Sequence, residues 1–229
     1  MAISATHHQL LSHLKPLLPQ GGTLLEIGQA NWYGDLDPAS VGLSRKENLF
    51  EIAKDFYAQL FAPKRIVSID LHGPDAMKCD LNQPLPPLGQ FDVVMNHGTA
   101  EHIFNIAQVF RSIHAACKVG GLMIHESPFT GWLDHGFYCL QPTLFYDLAA
   151  ANGYDIVSVD VEDMTGNQTL PIWSRDKMTE LMLAGSVPNN AMLYVAFRKK
   201  SVDQFIIPMQ GYYSQSLSAA GKQAWEVLR

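Results

Sequence analysis

Thr23-Leu24-Leu25-Glu26-Ile27-Gly28-Gln29-Ala30 is the stretch that decides how this chain is read. It is a short apolar run, set off by Gly21-Gly22, that ends in an acid and then a glycine. A run of this kind reads as a strand buried on both faces, as in a parallel sheet covered by helices. Gly28 lets the backbone turn sharply at the strand end and approach a ligand closely.

Working outward from it, Leu10, Leu11, Leu14, Leu17 and Leu18 recur at helical spacing, so residues 1–20 are expected to form an N-terminal helix or lid, broken near Pro16 and Pro19. Downstream, Ser44-Arg45-Lys46-Glu47 has the form of a capping box and predicts a helix start there. Its apolar stripe is Leu49, Ile52, Ala53, Phe56 and Leu60, and Pro63 ends it. Arg65–Asp70, Phe91–Asn96, Leu122–His125, Asp155–Asp160 and Ala191–Phe197 read as further strands. Between them, Thr99 would cap a helix carrying Ile103, Ile106, Phe110 and Ile113, and another helix is expected from Pro142 to Asn152. Alternating helices and strands predict an α/β fold: a single doubly wound, mostly parallel sheet with helices on both faces. Residues 1–229 are read as one domain, with a Rossmann-like core over 22–200 and a C-terminal extension over 201–229.

The bulk properties narrow the function. Hydrophobic residues make up 47% and charged residues 17%, the balance of a globular chain rather than a disordered one. A net charge of −6 argues against a broad phosphate-binding face, so no nucleic-acid partner is expected. Cys79, Cys117 and Cys139 are odd in number and form no CxxC pair, which fits a reducing compartment. The N-terminal segment lacks the pattern of a signal peptide, and no apolar run approaches the ~20 residues of a membrane helix. A cytoplasmic protein without membrane contact is the expectation.

Open parallel sheets bind ligands outside the carboxyl ends of their strands. Those ends carry Glu26-Ile27-Gly28-Gln29-Ala30, Asp70-Leu71 and Asn96-His97-Gly98, followed by Asp80-Leu81 in a turn-rich segment. Asp70 is placed to accept hydrogen bonds from both hydroxyls of a ribose, and Asp80 from an exocyclic adenine amine. The set outlines a nucleoside pocket. A dinucleotide is poorly supported, because pyrophosphate binding needs small residues leading directly into a helix N-terminus. Here Tyr33 replaces the third glycine and the next helix starts only well downstream.

Taken together, these segments resemble the class I S-adenosylmethionine-dependent methyltransferases of the small-molecule type. Leu24–Ala30 looks like their first motif, Ile69-Asp70 like their ribose-binding acid, and Cys79-Asp80-Leu81 like their adenine-binding motif. Phe91-Asp92-Val93-Val94 and Lys118-Val119-Gly120-Gly121-Leu122 resemble their fourth strand and the turn before the fifth. The resemblance covers roughly residues 22 to 160 and implies S-adenosyl-L-methionine as the cofactor. It departs from the family at Trp32, where a third glycine is common, and across residues 31–43, which form an insertion. Trp32 or Tyr33 would then face the pocket, where an aromatic face stabilises a sulfonium cation.

Methyl transfer to oxygen or nitrogen needs positioning and a base, not an enzyme nucleophile. His135, in the loop Trp132–Tyr138, is read as the base, with Asp134 or Glu126 as its orienting partner; the alternative is a surface loop histidine. His102 stands between a catalytic and a structural role, and Glu101 is read as a first-turn acid favoured by the helix dipole. The Glu101-His102 pair resembles one found in small-molecule methyltransferases. A longer version in the ubiquinone-biosynthesis O-methyltransferases binds a divalent metal, but Gly98 replaces its further glutamate here, so no metal is implied. His125 is read as structural, and His7, His8, His13, His72 and His114 as surface or packing residues. Trp132, Phe137, Tyr138, Phe145 and Tyr146 would line an acceptor pocket. The apolar segment Phe205–Tyr213 either folds back over that pocket or makes a subunit contact in a homodimer. The expected activity is methylation of a small polar acceptor, a sugar or natural product. The alternatives are an inactive cofactor-binding partner subunit or a non-methylating enzyme on the same scaffold.

Overall fold

A computed structural model of the chain describes residues 2–165, 168–172 and 174–228. The elements that position the site are α1 (Ala5–Leu14), β1 (Thr23–Ile27), α2 (Leu49–Phe61), β2 (Arg65–Ile69), β3 (Phe91–His97), α3 (Ile106–Ala116) and β4 (Cys117–Thr130). They continue with α4 (Pro142–Asn152), β5 (Asp155–Asp163), β6 (Gln168–Pro171), α5 (Arg175–Leu183) and β7 (Ala191–Arg198).

One seven-stranded sheet runs in the order β2-β1-β3-β4-β7-β5-β6. The first four strands are parallel to their neighbours, and the last three pair antiparallel. Ile27 lies opposite Ile69 on one side and Asn96 on the other, and Asn96 lies opposite His125. The carboxyl ends of β1 to β4 therefore line one edge.

Alternation along the strands divides the core in two. Leu24, Val93, Met95, Leu122 and Ile124 pack with Leu11 and Leu14 of α1 and with Ile52, Phe56 and Leu60 of α2. Leu25, Val94 and Met123 face the other way, onto Val109, Phe110 and Ile113 of α3 and Phe145 and Leu148 of α4. Each such buried side chain contributes roughly 1.5–3 kcal/mol of transfer free energy, so the two apolar faces rather than helix propensity fix these helices.

Several expectations need correcting. The helix foreseen at Ser44 starts at Leu49, because the Asn48 side chain caps it by accepting from the Phe50 amide at 3.1 Å. The helix foreseen after Thr99 splits: Ala100–His102 is a 3₁₀ turn, Thr99 makes no side-chain cap, and the α-helix begins at Ile106. Glu101 is thus not a first-turn acid of an α-helix. β6 and α5 were not foreseen. The start of the C-terminal segment, residues 203–206, lies away from the carboxyl edge. Its Ile206 amide donates to Asn152 Oδ1 at 2.7 Å, and the Asp203 carbonyl pairs with His114 Nε2 at 2.8 Å. His114 lies at the end of α3 that leads into β4, the opposite edge of the parallel strands. Among the described residues no helix is long and apolar enough to cross a membrane.

Candidate active site at the carboxyl edge

Gly28 takes φ 90°, a conformation that costs a side-chain-bearing residue strain, and its amide donates to the Ile69 carbonyl at 2.7 Å. The turn brings the Gln29 amide to Asp70 Oδ2 at 2.9 Å, while Asp70 Oδ1 accepts from the amides of His72 (2.7 Å) and Gly73 (3.0 Å). Burial works against ionisation of Asp70, but these three amides outweigh it and hold its pKa below the ordinary carboxylate value. An ionised carboxylate offers about four acceptor sites, so Asp70 keeps capacity for a further donor.

Glu26 is buried; it accepts from the Ala30 amide at 3.3 Å and from the Ser68 hydroxyl. Burial raises its pKa, with the Ser68 bond opposing. Its role is to brace the turn. Gln29 and Asn96 are almost fully buried; the Gln29 side chain is engaged with Asp75, and Asn96 Nδ2 is a donor without a partner. Asn96 Oδ1 meanwhile accepts from the Ala100 amide at 3.0 Å. Gly98, at φ 67°, donates to the Glu126 carbonyl at 3.1 Å.

Not every expected cofactor residue joins this group. Leu71 is exposed and Leu81 is buried in the core beneath α3. Asp80 is exposed and occupied in an Asx turn, accepting from the Asn82 amide (2.9 Å) and its side-chain amide (2.8 Å). Trp32 does not face a pocket. It is 2% exposed, packs on Phe56 and donates its indole N–H to the Leu36 carbonyl at 2.7 Å. Its strand pairs with Ala2–Ile3, which pulls the ring into the α2 face of the core. Tyr33 is more than half exposed beside it.

The acceptor-side residues form a second group. The amides of Phe137 and Tyr138 donate to the Glu101 carbonyl at 2.9 and 3.3 Å, folding the 131–138 loop onto the 3₁₀ turn. A Cβ at Gly136 would lie 3.1 Å from both the Glu101 carbonyl and His102 Nδ1, so only glycine permits this approach without displacement. The result places His102 Nε2 3.9 Å and His135 Nε2 3.8 Å from Glu101 Oε1, with the two imidazole centroids 4.9 Å apart. The Trp132 ring stands edge-on to His135 at 5.0 Å and is anchored through its indole N–H to the Ala191 carbonyl at 2.9 Å. Phe137 is exposed against Phe104, and Tyr138 donates to the Phe104 carbonyl at 2.8 Å. Glu101 is 0% exposed, and neither carboxylate oxygen has a hydrogen-bond partner on another residue. Burial, aided by the charge of Glu126, pushes its pKa up to about 8. Burial, then the neighbouring His135, lowers that of His102. The carboxylate that His135 approaches is Glu101, at 3.8 Å, where Asp134 or Glu126 was the expected orienting partner.

A network missed from sequence lies beside it. His7 of α1 is buried against the edge, its Nε2 2.6 Å from Glu126 Oε2 and 2.7 Å from His97 Nδ1. Tyr194 donates to Glu126 Oε1 at 2.9 Å. Burial, reinforced by His7 and His125, holds the His97 pKa well below normal. His97, expected to touch a cofactor, ties α1 down through Nδ1, and its Nε2 is buried without a partner. The signal was present: His7 precedes Leu11 and Leu14 by four and seven positions, on the same buried face of the helix.

Open clefts of about 320, 370 and 340 Å³ lie elsewhere, two beside Arg111 on the outer side of α3 and one between α4 and α5. Among the described residues, the clusters of imidazole and carboxylate groups lie at the edge and not in these clefts.

The fold and the edge define the class I methyltransferase-like α/β architecture. No family model matches the chain, and no curated protein sequence matches it. Solved structures do resemble it. The cyclase SpnF superposes with TM-score 0.53 at 14% identity, over 85% of this chain and 82% of SpnF. The N-methyltransferase NodS from Bradyrhizobium japonicum, in complex with S-adenosyl-L-homocysteine, gives 0.51 at 14% identity, over 86% and 89%. The YcgJ protein from Bacillus subtilis gives 0.53 at 9% identity, over 85% and 100%. These similarities establish the fold.

Proposed function

We propose that this chain is an S-adenosyl-L-methionine-dependent methyltransferase that acts on an oxygen or nitrogen of a small polar metabolite, a sugar or a natural product. The observation that carries the proposal is one edge combining the Gly28 turn, an amide-stabilised Asp70, and the unpartnered buried donor Asn96 Nδ2. Buried donors without partners are rare in folded proteins and call for an acceptor-bearing ligand. A nucleoside with hydroxyls for Asp70 and an amino-acid carboxylate for the Asn96 amide meets that need. NodS, of the same fold, was crystallised with S-adenosyl-L-homocysteine.

The cofactor would supply an electrophilic methyl group. This chain's residues do the rest: Asp70 orients the ribose, the Gly28–Ala30 backbone lies against the nucleoside, and Trp132, Phe137 and Tyr138 flank the acceptor. The Glu101–His102–His135 cluster holds the acceptor group and takes up its proton. Gln29 is 2% exposed and its Oε1 accepts from the Asp75 amide at 3.2 Å, so entry of the nucleoside displaces this side chain and the loop after Asp70. No nucleic acid or membrane takes part in this reading.

That closure also favours a second reading, a cofactor-binding subunit without turnover. Incubation with methyl-labelled S-adenosylmethionine and a panel of hydroxylated and aminated metabolites separates the two. Label transfer with S-adenosylhomocysteine release supports the transferase. Cofactor binding without release across the panel supports the subunit. A product lacking the label would instead place the chain with the non-methylating enzymes.

A further inference from the structure

We infer that Glu101, His102 and His135 form a binding site for a divalent first-row transition ion such as zinc, open to the acceptor. One carboxylate oxygen and two imidazole nitrogens lie together, with Glu101 Oε1 3.9 Å from His102 Nε2 and 3.8 Å from His135 Nε2. Donors about 2.0–2.2 Å from a zinc ion stand roughly 3.0–3.6 Å apart, so the two carboxylate–imidazole separations need to contract by only a few tenths of an ångström, and the donor atoms of the cluster all lie within 4.8 Å of one another.

The second observation is Glu101 itself. Its carboxylate is wholly buried, has Oε1 nearest the two imidazoles, and lacks any hydrogen-bond partner on another residue. Burying a carboxyl group without a partner is unfavourable, and a cation between these three residues removes the deficit. The imidazoles remain 43% and 37% exposed, so water or an acceptor oxygen reaches the positions that the protein leaves open. Two histidines and one carboxylate with open positions is a donor set of catalytic rather than structural ions. Imidazole nitrogens disfavour magnesium and calcium, which take oxygen ligands.

The rival cluster, His7, His97 and Glu126, is excluded by its geometry. Its contacts of 2.6 and 2.7 Å are already hydrogen bonds, and all three residues are buried, leaving no open position. The third ligand of the inferred site arrives on the 131–138 loop, held by the two amide bonds to the Glu101 carbonyl.

In the methyl-transfer reading, an ion held by these residues would lower the pKa of an acceptor oxygen, whose proton would pass to bulk water, and the imidazoles would then serve as ligands in place of the base role given above. That role rests on the proposed function; the site does not. The test is therefore run without adenosylmethionine. The full chain, stripped with a chelator, is titrated with Zn²⁺ by calorimetry and with Co²⁺ by visible absorption. One equivalent should bind with micromolar or tighter affinity and give a cobalt d–d band. His135→Asn, an exposed loop change, and Glu101→Gln should each weaken binding at least tenfold, with the circular dichroism spectrum unchanged. Should Glu101→Gln misfold, His135→Asn alone decides. Absence of a stoichiometric site in the intact chain, or undiminished binding by His135→Asn, overturns the inference.

Discussion

His125 offers a quantitative test of how the central sheet is packed. It sits on β4 against the rings of Phe110, Phe145 and Phe197, with centroids 5.5, 5.5 and 5.8 Å away, and its Nδ1 has no partner. Burial depresses its pKa from 6.5 to about 3. The unfolded chain therefore binds a proton below pH 6.5 that the native state refuses until about pH 3. Stability supplied by this group is full above pH 6.5 and is lost progressively as the pH falls towards 3. The loss amounts to about 2 kcal/mol at pH 5 and about 3 kcal/mol at pH 4. His125→Leu removes the titration and keeps the volume close to the original. Urea unfolding of both proteins at pH 7 and pH 5 measures the effect. The variant should gain about 2 kcal/mol on the parent between those values. Parallel stability curves for the two proteins would refute the reasoning and place His125 in a solvated or paired environment.

Two further substitutions probe the edge. His7→Ala strands Glu126 and His97 without their α1 partner, so denaturant unfolding should show a loss of about 3–5 kcal/mol and amide exchange in residues 5–14 should accelerate; a loss below about 1 kcal/mol would mean the contact does not hold α1. Gly28→Ala forces a side chain into φ 90°. It should cost about 1–2 kcal/mol of stability in the unfolding assay and weaken adenosylmethionine binding more than that strain explains.

The sequence carried the sheet better than the edge. Strand ends such as Ile27-Gly28 and Ile69-Asp70 were legible because an apolar run must stop where a buried strand stops, and Pro142–Asn152 was bounded by its own proline and Gly153. Trp32 was misread because its burial depends on pairing with Ala2–Ile3, a contact between segments that no local pattern announces. The Ser44 capping box lost to Asn48 because a cap is chosen by where α2 docks on the sheet, one turn further on. Glu101 looked like a helix-dipole acid, and only the 3₁₀ turn and the returning loop reveal it as the centre of a cluster with His102 and His135. Gly136, which permits that return, was visible in the sequence only as a loop glycine.

We propose that the carboxyl edge of the parallel strands binds adenosylmethionine through Asp70, and calorimetric titration of the intact chain and of Asp70→Asn tests this directly. Hydrogen bonds to a charged group contribute about 1.5–3 kcal/mol each, so the substitution should weaken binding at least tenfold. The intact chain should bind with micromolar affinity, and the variant should show that loss while still unfolding cooperatively. Absence of binding by the intact chain, or equal affinity for both proteins, would contradict it.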